Sequence, residues 1–245
     1  MAKTDIAKVS EGGLAVLQGG GTAALLQTIK ALGIGQFDLQ RIKVPSGGAK
    51  AWSVSTPEGE KSADEIQCVI AGFKAGQRSW WRDENAGSVP PNCSSSDGIN
   101  GFGDNSVAGK AGQQGEHLCA QCPWFQWGSN RKGGRGKDCK DGMAVYFFMP
   151  ESKLPSLFMV PPTSLKAMRS YLIGLVGSGH HCASVLTSLT LRGSKNDKGK
   201  DYSMVVPRML RSLSAQEAGA MKEVSDGLMA AVDQSAPIAA DHETE

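Results

Sequence analysis

No apolar run in this 245-residue chain approaches the roughly 18 residues that a membrane-crossing helix requires. The opening residues, MAKTDIAKVSEGG, lack the basic-then-apolar layout of a secretory signal. Without that signal, six cysteines point to metal binding or free thiols rather than a disulfide framework, and the expected compartment is the cytoplasm. The chain also lacks a nucleophile elbow, a His-x-Glu with a paired Pro-Cys-x2-Cys, and any carboxylate cluster at metal-site spacing. Those absences argue against hydrolase, deaminase and nuclease chemistry, and the expected role is binding, not catalysis. The Gly19-Gly20-Gly21 run has neither the preceding strand nor the Lys-Ser/Thr of a phosphate loop. No internal repeat is present.

What the sequence does hold is concentrated between Pro90 and Lys140. This stretch contains four of the six cysteines, two of the five tryptophans and a dense mixture of glycine with lysine and arginine. Cys119 and Cys122 form a Cys-x2-Cys knuckle, with Cys93 upstream and Cys139 downstream. A tetrahedral zinc ion takes four soft or borderline ligands, and a knuckle supplies two of them from one tight turn. These cysteines sit among Pro, Ser, Gly, Gln and Lys, a setting wrong for apolar burial and right for a metal-organised loop. The expected cofactor is therefore one structural Zn2+ on Cys93, Cys119, Cys122 and Cys139. His117 is an alternative to Cys93, though it lies close to the knuckle. A redox Cys-x2-Cys and a catalytic zinc using His117 and Glu116 are competing readings.

The rest of the chain reads as mainly β. Residues 1–35 suggest an arm and a short helix carrying Leu25, Leu26, Ile29 and Leu32. From Phe37 onward, short β-type segments alternate with Pro, Gly and Ser turns. In one of them Ile66, Cys68 and Ile70 share a face, which predicts a buried thiol at Cys68. A mid-chain helix carries Leu165, Met168, Tyr171, Leu172, Leu175 and Val176, capped by Thr163 or Ser164 and stopped at Gly177 and Gly179. Two strands around RGSKNDKG make a hairpin, and Ser214 with Glu217 fits a capping box before a last helix. The expected architecture is α+β and mainly β: an OB-like barrel over 36–212 with a zinc-loop insertion at 90–140. A helix at 213–232 and a disordered acidic tail at 233–245 complete it.

Single strands are held by aromatic platforms that stack bases and by a basic groove that follows the phosphates. Arg78, Trp80, Trp81 and Arg82 supply one such cluster. Trp124 and Trp127, followed by Arg131, Lys132, Arg135, Lys137 and Lys140, supply another. Lys195, Lys200 and Tyr202 in the late hairpin form a third, together with Arg192 and Lys198. The tryptophans could equally be core, and the basic runs could be solvated loops.

The segments PPNCSSSDGINGFG, CAQCPWFQWGSNRKGGRGKDCK and LPSLFMVPPTSLKAMRSYLIGL, with the late hairpin, resemble a family of uncharacterised phage- and mobile-element-encoded proteins. In overall plan the chain is similar to phage single-stranded DNA-binding proteins, which combine an OB barrel, a zinc loop and an acidic tail. The resemblance implies a sequence-independent partner, single-stranded DNA, in replication or recombination. It also implies tail contacts to replication or recombination proteins. No membrane partner is expected. The alternative is a protein-interaction module, such as a factor that counters a host function, with the zinc loop as its contact surface.

Overall fold

The computed structural model describes residues 14–17, 39–45, 47–56, 59–82, 91–104, 114–196 and 199–233. The helix expected at Leu25–Leu32 and the acidic tail lie outside them. Among the described residues there are eleven strands: β1 (Gln40–Ile42), β2 (Trp52–Thr56), β3 (Gly59–Ala63), β4 (Glu65–Trp80), β5 (Cys93–Ser95), β6 (Asn100–Asp104), β7 (Gln114–Leu118), β8 (Lys140–Phe148), β9 (Ser156–Val160), β10 (Val185–Lys195) and β11 (Asp201–Ser212). Among the described residues two α-helices accompany them, α1 (Pro162–Gly177) and α2 (Ala215–Asp233).

Nine strands form one mixed sheet in the order β1-β9-β8-β4-β5-β6-β7, with β10 also on β4 and β11 on β10; β2 and β3 pair separately. Only β1–β9 is parallel among the pairs whose register is resolved here. The mainly β class is as the sequence predicts, but the barrel is not. The sheet path ends on β1 and β7 without pairing them, so the described residues form an open sheet and no OB-like closed barrel. Alternation of apolar residues reports which face of a strand is covered; it carries no information on whether the first and last strands meet.

The chain divides into two compact units, one of 1–73 with 145–235 and one of 74–144 with 236–245. In the first, β9 is buried at every position, as Val145–Phe148 of β8 are, so these strands read as continuous apolar runs rather than alternating ones. Cys68 is fully buried, opposite Thr187 on β10. Trp52 is equally buried, edge-on to Phe158 at 5.8 Å, with its indole N–H donated to the Leu189 carbonyl. Ser225 of α2 donates to the Ala71 carbonyl, which seats that helix on β4. The α2 stripe Met221, Val224, Leu228 and Val232 is its buried face.

Two details of the helices differ from the sequence reading. α1 begins at Pro162 after Pro161, with no side-chain cap, because Pro at the first helical position removes a donor that would be unpaired anyway. Ser164 is instead buried, its hydroxyl accepting from the Val205 N–H of β11. Val176, read as part of the apolar stripe, is 74% exposed. The helix ends at Gly177, and Gly179 just beyond it has a φ of 77°, the left-handed conformation that a glycine adopts without strain.

Candidate metal centre and exposed basic loop

The second unit is organised by strand register. Trp80 of β4 stands opposite Cys93 of β5, Cys93 opposite Gly103 of β6, and Gly101 of β6 opposite His117 of β7. Directly opposed residues share a sheet face, so Arg78, Trp80, Cys93 and His117 all project to one side. Between Cys93 and His117, β6 offers only Gly101 and Gly103 on that side. A Cβ at Gly101 would lie 2.7 Å from His117 Nε2 and 3.3 Å from Cys93 Sγ. The bare glycine is what lets the Cys93 sulfur approach His117 Nε2 to 3.4 Å.

The knuckle closes over this face. Cys119 begins a single 3-10 turn tied to the sheet by its N–H to the Ile99 carbonyl, and Cys122 N–H returns to the Cys119 carbonyl. Pro123 opens a second 3-10 turn, with the Phe125 N–H donated to the Cys122 carbonyl at 3.0 Å. Cys139 is brought back by its N–H to the Trp124 carbonyl at 2.9 Å. One small cavity is lined by Cys93, His117, Cys119, Cys122 and Cys139, with Arg78, Trp80, Trp124 and Phe125 as its walls.

All four cysteines are free thiols, and Cys119, Cys122 and Cys139 are buried while Cys93 is half-buried. Burial pushes the Cys93 thiol up to about 12, and the charges of Cys122 and Cys119 add to it. Burial also raises Cys139, with Cys122, Cys93 and Cys119 contributing in that order. Cys122 is raised by burial, against the Trp124 and Phe125 amides and the Arg78 charge. Among the described residues the sulfurs do not close into a ready ligand shell. The donor set nevertheless fits zinc: four soft sulfurs and one imidazole face a single cavity, and His117 Nδ1 is buried without a hydrogen-bond partner.

Asp138 organises the loop beyond the knuckle, a role that sequence reasoning missed. Its Oδ2 accepts from Trp80 Nε1 and from Arg131 Nε, each at 2.7 Å, and the residue is only 7% exposed. Its own N–H donates to Ser129 Oγ, which in turn donates to the Trp124 carbonyl. The signal available in the sequence was that Asp138 is the lone acid in the basic run from Arg131 to Lys140. A single carboxylate among many cations is where a buried ion pair would form.

The residues predicted to contact nucleic acid separate into two groups. Trp80 and Trp81 are 2% and 5% exposed, and Trp124 is half-buried and stacked on Trp80 at 5.4 Å and 12°. These three rings are occupied by the protein itself. Arg131 donates to the Trp81 and Arg82 carbonyls as well as to Asp138. The Arg78 guanidinium lies 3.4 Å from the Phe125 ring centre and beside Asp141, and Lys137 Nζ lies 3.6 Å from the same ring centre. In the other group Arg82, Trp127, Lys132 and Arg135 are exposed. Trp127 is the most solvent-exposed large apolar side chain among the described residues, at 78%. Lys140 is half-buried, its ammonium on the Lys137 carbonyl.

The loop carrying Trp127, Lys132 and Arg135 is pinned at its base by Gly128 and Asn130 amides on the Gly136 carbonyl. Lys195, Lys200 and Tyr202 belong to the first unit, at the end of the β10–β11 hairpin. Lys195 pairs loosely with Asp201 at 3.8 Å, Lys200 is exposed and Tyr202 half-buried. Among the described residues no helix is long and apolar enough to cross a membrane. Compared with protein-family models, with curated proteins and with solved structures, the chain matches none.

Proposed function

We propose that this protein binds single-stranded DNA without sequence preference and without catalysing a reaction, through a basic loop stapled by a structural Zn2+ on Cys93, Cys119, Cys122 and Cys139. The exposure of Trp127 carries the reading. Its ring, 78% exposed with the Lys137 ammonium 5.2 Å from its centre, offers a face on which a base can stack beside a cation. Lys132 and Arg135 stand exposed on the same glycine-rich loop, where open backbone gives phosphates close access. The zinc ion would tie the knuckle to β5 and to Cys139, and so hold both ends of that loop. The resemblance to phage single-stranded DNA-binding proteins adds replication or recombination as the setting.

Titration of the full chain with oligo(dT) at two salt concentrations, following tryptophan fluorescence, tests it, with zinc assayed on the same sample. Quenching that weakens steeply with salt, alongside about one zinc per chain, is the expected result. Zinc without any response to DNA would favour a protein-interaction module. One observation supports that second reading: Ile99, Phe102 and Leu118 are 62%, 51% and 48% exposed beside the knuckle. Absence of zinc would overturn the staple.

A further inference from the structure

The cavity is lined by four cysteines and a histidine where a tetrahedral ion takes four ligands, so one of the five has another task. His117 is that residue. Its Nε2 lies 3.4 Å from Cys93 Sγ, a separation that suits either two ligands of one ion or an N–H···S hydrogen bond. The other ring nitrogen decides between them. Were Nε2 bound to zinc, the ring proton would sit on Nδ1, and a ligating imidazole needs an acceptor for that proton. Nδ1 is buried with no hydrogen-bond partner. Coordination draws charge from the ring and strengthens that N–H as a donor, so leaving it unpaired costs more than burying a bare lone pair. With the proton on Nε2, only the lone pair is buried at Nδ1, and Nε2 has the Cys93 sulfur as its acceptor.

The sulfurs fit the same division. Cys119, Cys122 and Cys139 are buried, and Cys93 is the half-buried member of the four. Four thiolates on one divalent ion leave an excess of negative charge, which the surrounding groups must offset. Arg78 brings a cation to the cavity wall, and His117 brings a donor to the least covered of the four cysteines. Gly101, opposite His117 on β6, leaves the gap in which the two side chains meet. From this arrangement we infer that His117 stays outside the zinc ligand set and donates its Nε2–H to the Cys93 thiolate. It is a positioning residue: the hydrogen bond occupies the sulfur lone pair that an electrophile would otherwise meet, and so slows loss of the ion. The inference rests on the zinc reading above.

The first test needs no variant. In the zinc-loaded full chain, isotope-labelled at its histidine nitrogens, the His117 ring should carry its proton on Nε2 by nuclear magnetic resonance. A proton on Nδ1 with Nε2 bound to the metal overturns the inference and leaves the zinc staple standing. A wild-type chain that takes up no Zn2+ or Co2+ overturns both. The second test loads wild type, His117→Ala and His117→Gln with Co2+ as a spectroscopic substitute. The sulfur-to-cobalt charge-transfer intensity should be the same in all three, because all four sulfurs stay bound. A rise of about a third in the variants, as a fourth sulfur replaces the imidazole, or loss of the metal from them, would make His117 a ligand. The third test follows zinc release by iodoacetamide. The Cys93 sulfur displaces iodide to form a thioether, which is no longer an anion and loosens its hold on the ion. Release should be about 10-fold faster from His117→Ala than from wild type, and His117→Gln, which keeps an N–H donor, should restore most of the difference. Equal rates in all three proteins, or a Gln variant as fast as the Ala one, overturn the hydrogen bond's role.

Discussion

The Trp80 indole N–H donates to the Asp138 carboxylate at 2.7 Å across 58 residues of sequence, in a setting where both are nearly excluded from solvent. The same oxygen accepts from Arg131, so a single carboxylate fixes a ring beside the cysteine cavity and a cation on the loop outside it. Removing it leaves the buried indole donor without an acceptor and takes the carboxylate from the Arg131 guanidinium, which keeps the Trp81 and Arg82 carbonyls. Asp138→Ala should destabilise the protein by about 2–4 kcal/mol. Asp138→Asn keeps an acceptor for Trp80 and should cost about 1–2 kcal/mol. Urea denaturation followed by tryptophan fluorescence measures both, and equal, negligible costs would show that the ion pair is incidental.

Gly101 and Gly219 should respond oppositely to alanine. At Gly101 the new Cβ meets His117 Nε2 and Cys93 Sγ, so one of the two side chains must move. The expected loss is about 1–3 kcal/mol, with lower zinc content. Gly219 lies on the exposed side of α2 with nothing within 4 Å of its built Cβ, and alanine there should stabilise by about 0.5–1 kcal/mol. Thermal unfolding of the two variants beside wild type is the check. A Gly101→Ala protein with unchanged Tm and zinc content would mean the Cys93–His117 approach is not needed.

The N-terminus of α2 sets a pH dependence. Ser214 N–H donates to Glu217 Oε2 and Glu217 N–H donates back to Ser214 Oγ, a reciprocal capping box. The Ser214 backbone N–H first, then the Ser214 hydroxyl and the Arg211 charge, hold the Glu217 carboxyl below its ordinary value, against a burial effect in the other direction. A carboxyl depressed in the folded state contributes stability that is fully present above its unfolded value. That contribution is lost as pH falls through the lower folded one. Wild type should therefore lose stability relative to Glu217→Gln as the medium is acidified from about pH 5 downward. Parallel loss in the two proteins, followed by helical circular dichroism, would show that the cap does not titrate as described.

The features legible in the sequence were those written in local spacing. The α2 stripe and the Ser214–Glu217 box repeat within a turn or two of helix, and the knuckle cysteines are three residues apart. The role of the tryptophans was not local. Alternation along a strand puts Trp80 and Trp81 on opposite faces and turns one of them inward, which leaves open whether the other is core or contact. Both are covered, at 2% and 5% exposure, and Trp124, 44 residues on, stacks on Trp80. An exposed arginine and one committed to a carboxylate also look the same in sequence until the lone acid among them is placed. The open sheet was hidden for a related reason, since β1 and β7 read as ordinary strands whether or not they pair.

That redistribution of roles decides which substitutions should matter for nucleic acid. If three of the four tryptophans singled out in the sequence are internal, their removal alters folding more than affinity, and Trp127 alone among them reports on stacking. Trp127→Ala should weaken oligo(dT) binding by about 5- to 150-fold, the equivalent of about 1–3 kcal/mol for one stacked base, with Tm nearly unchanged. Lys132→Ala and Arg135→Ala should each lower the slope of log affinity against log salt by about 0.7, the value for one phosphate contact on a single strand. Trp80→Phe, which keeps a ring on Trp124 but abandons Asp138, should lower stability instead and leave the salt slope alone. The reverse pattern, affinity lost at Trp80 and untouched at Trp127, would mean that bases enter through the cysteine cavity and that the exposed loop is not the contact surface.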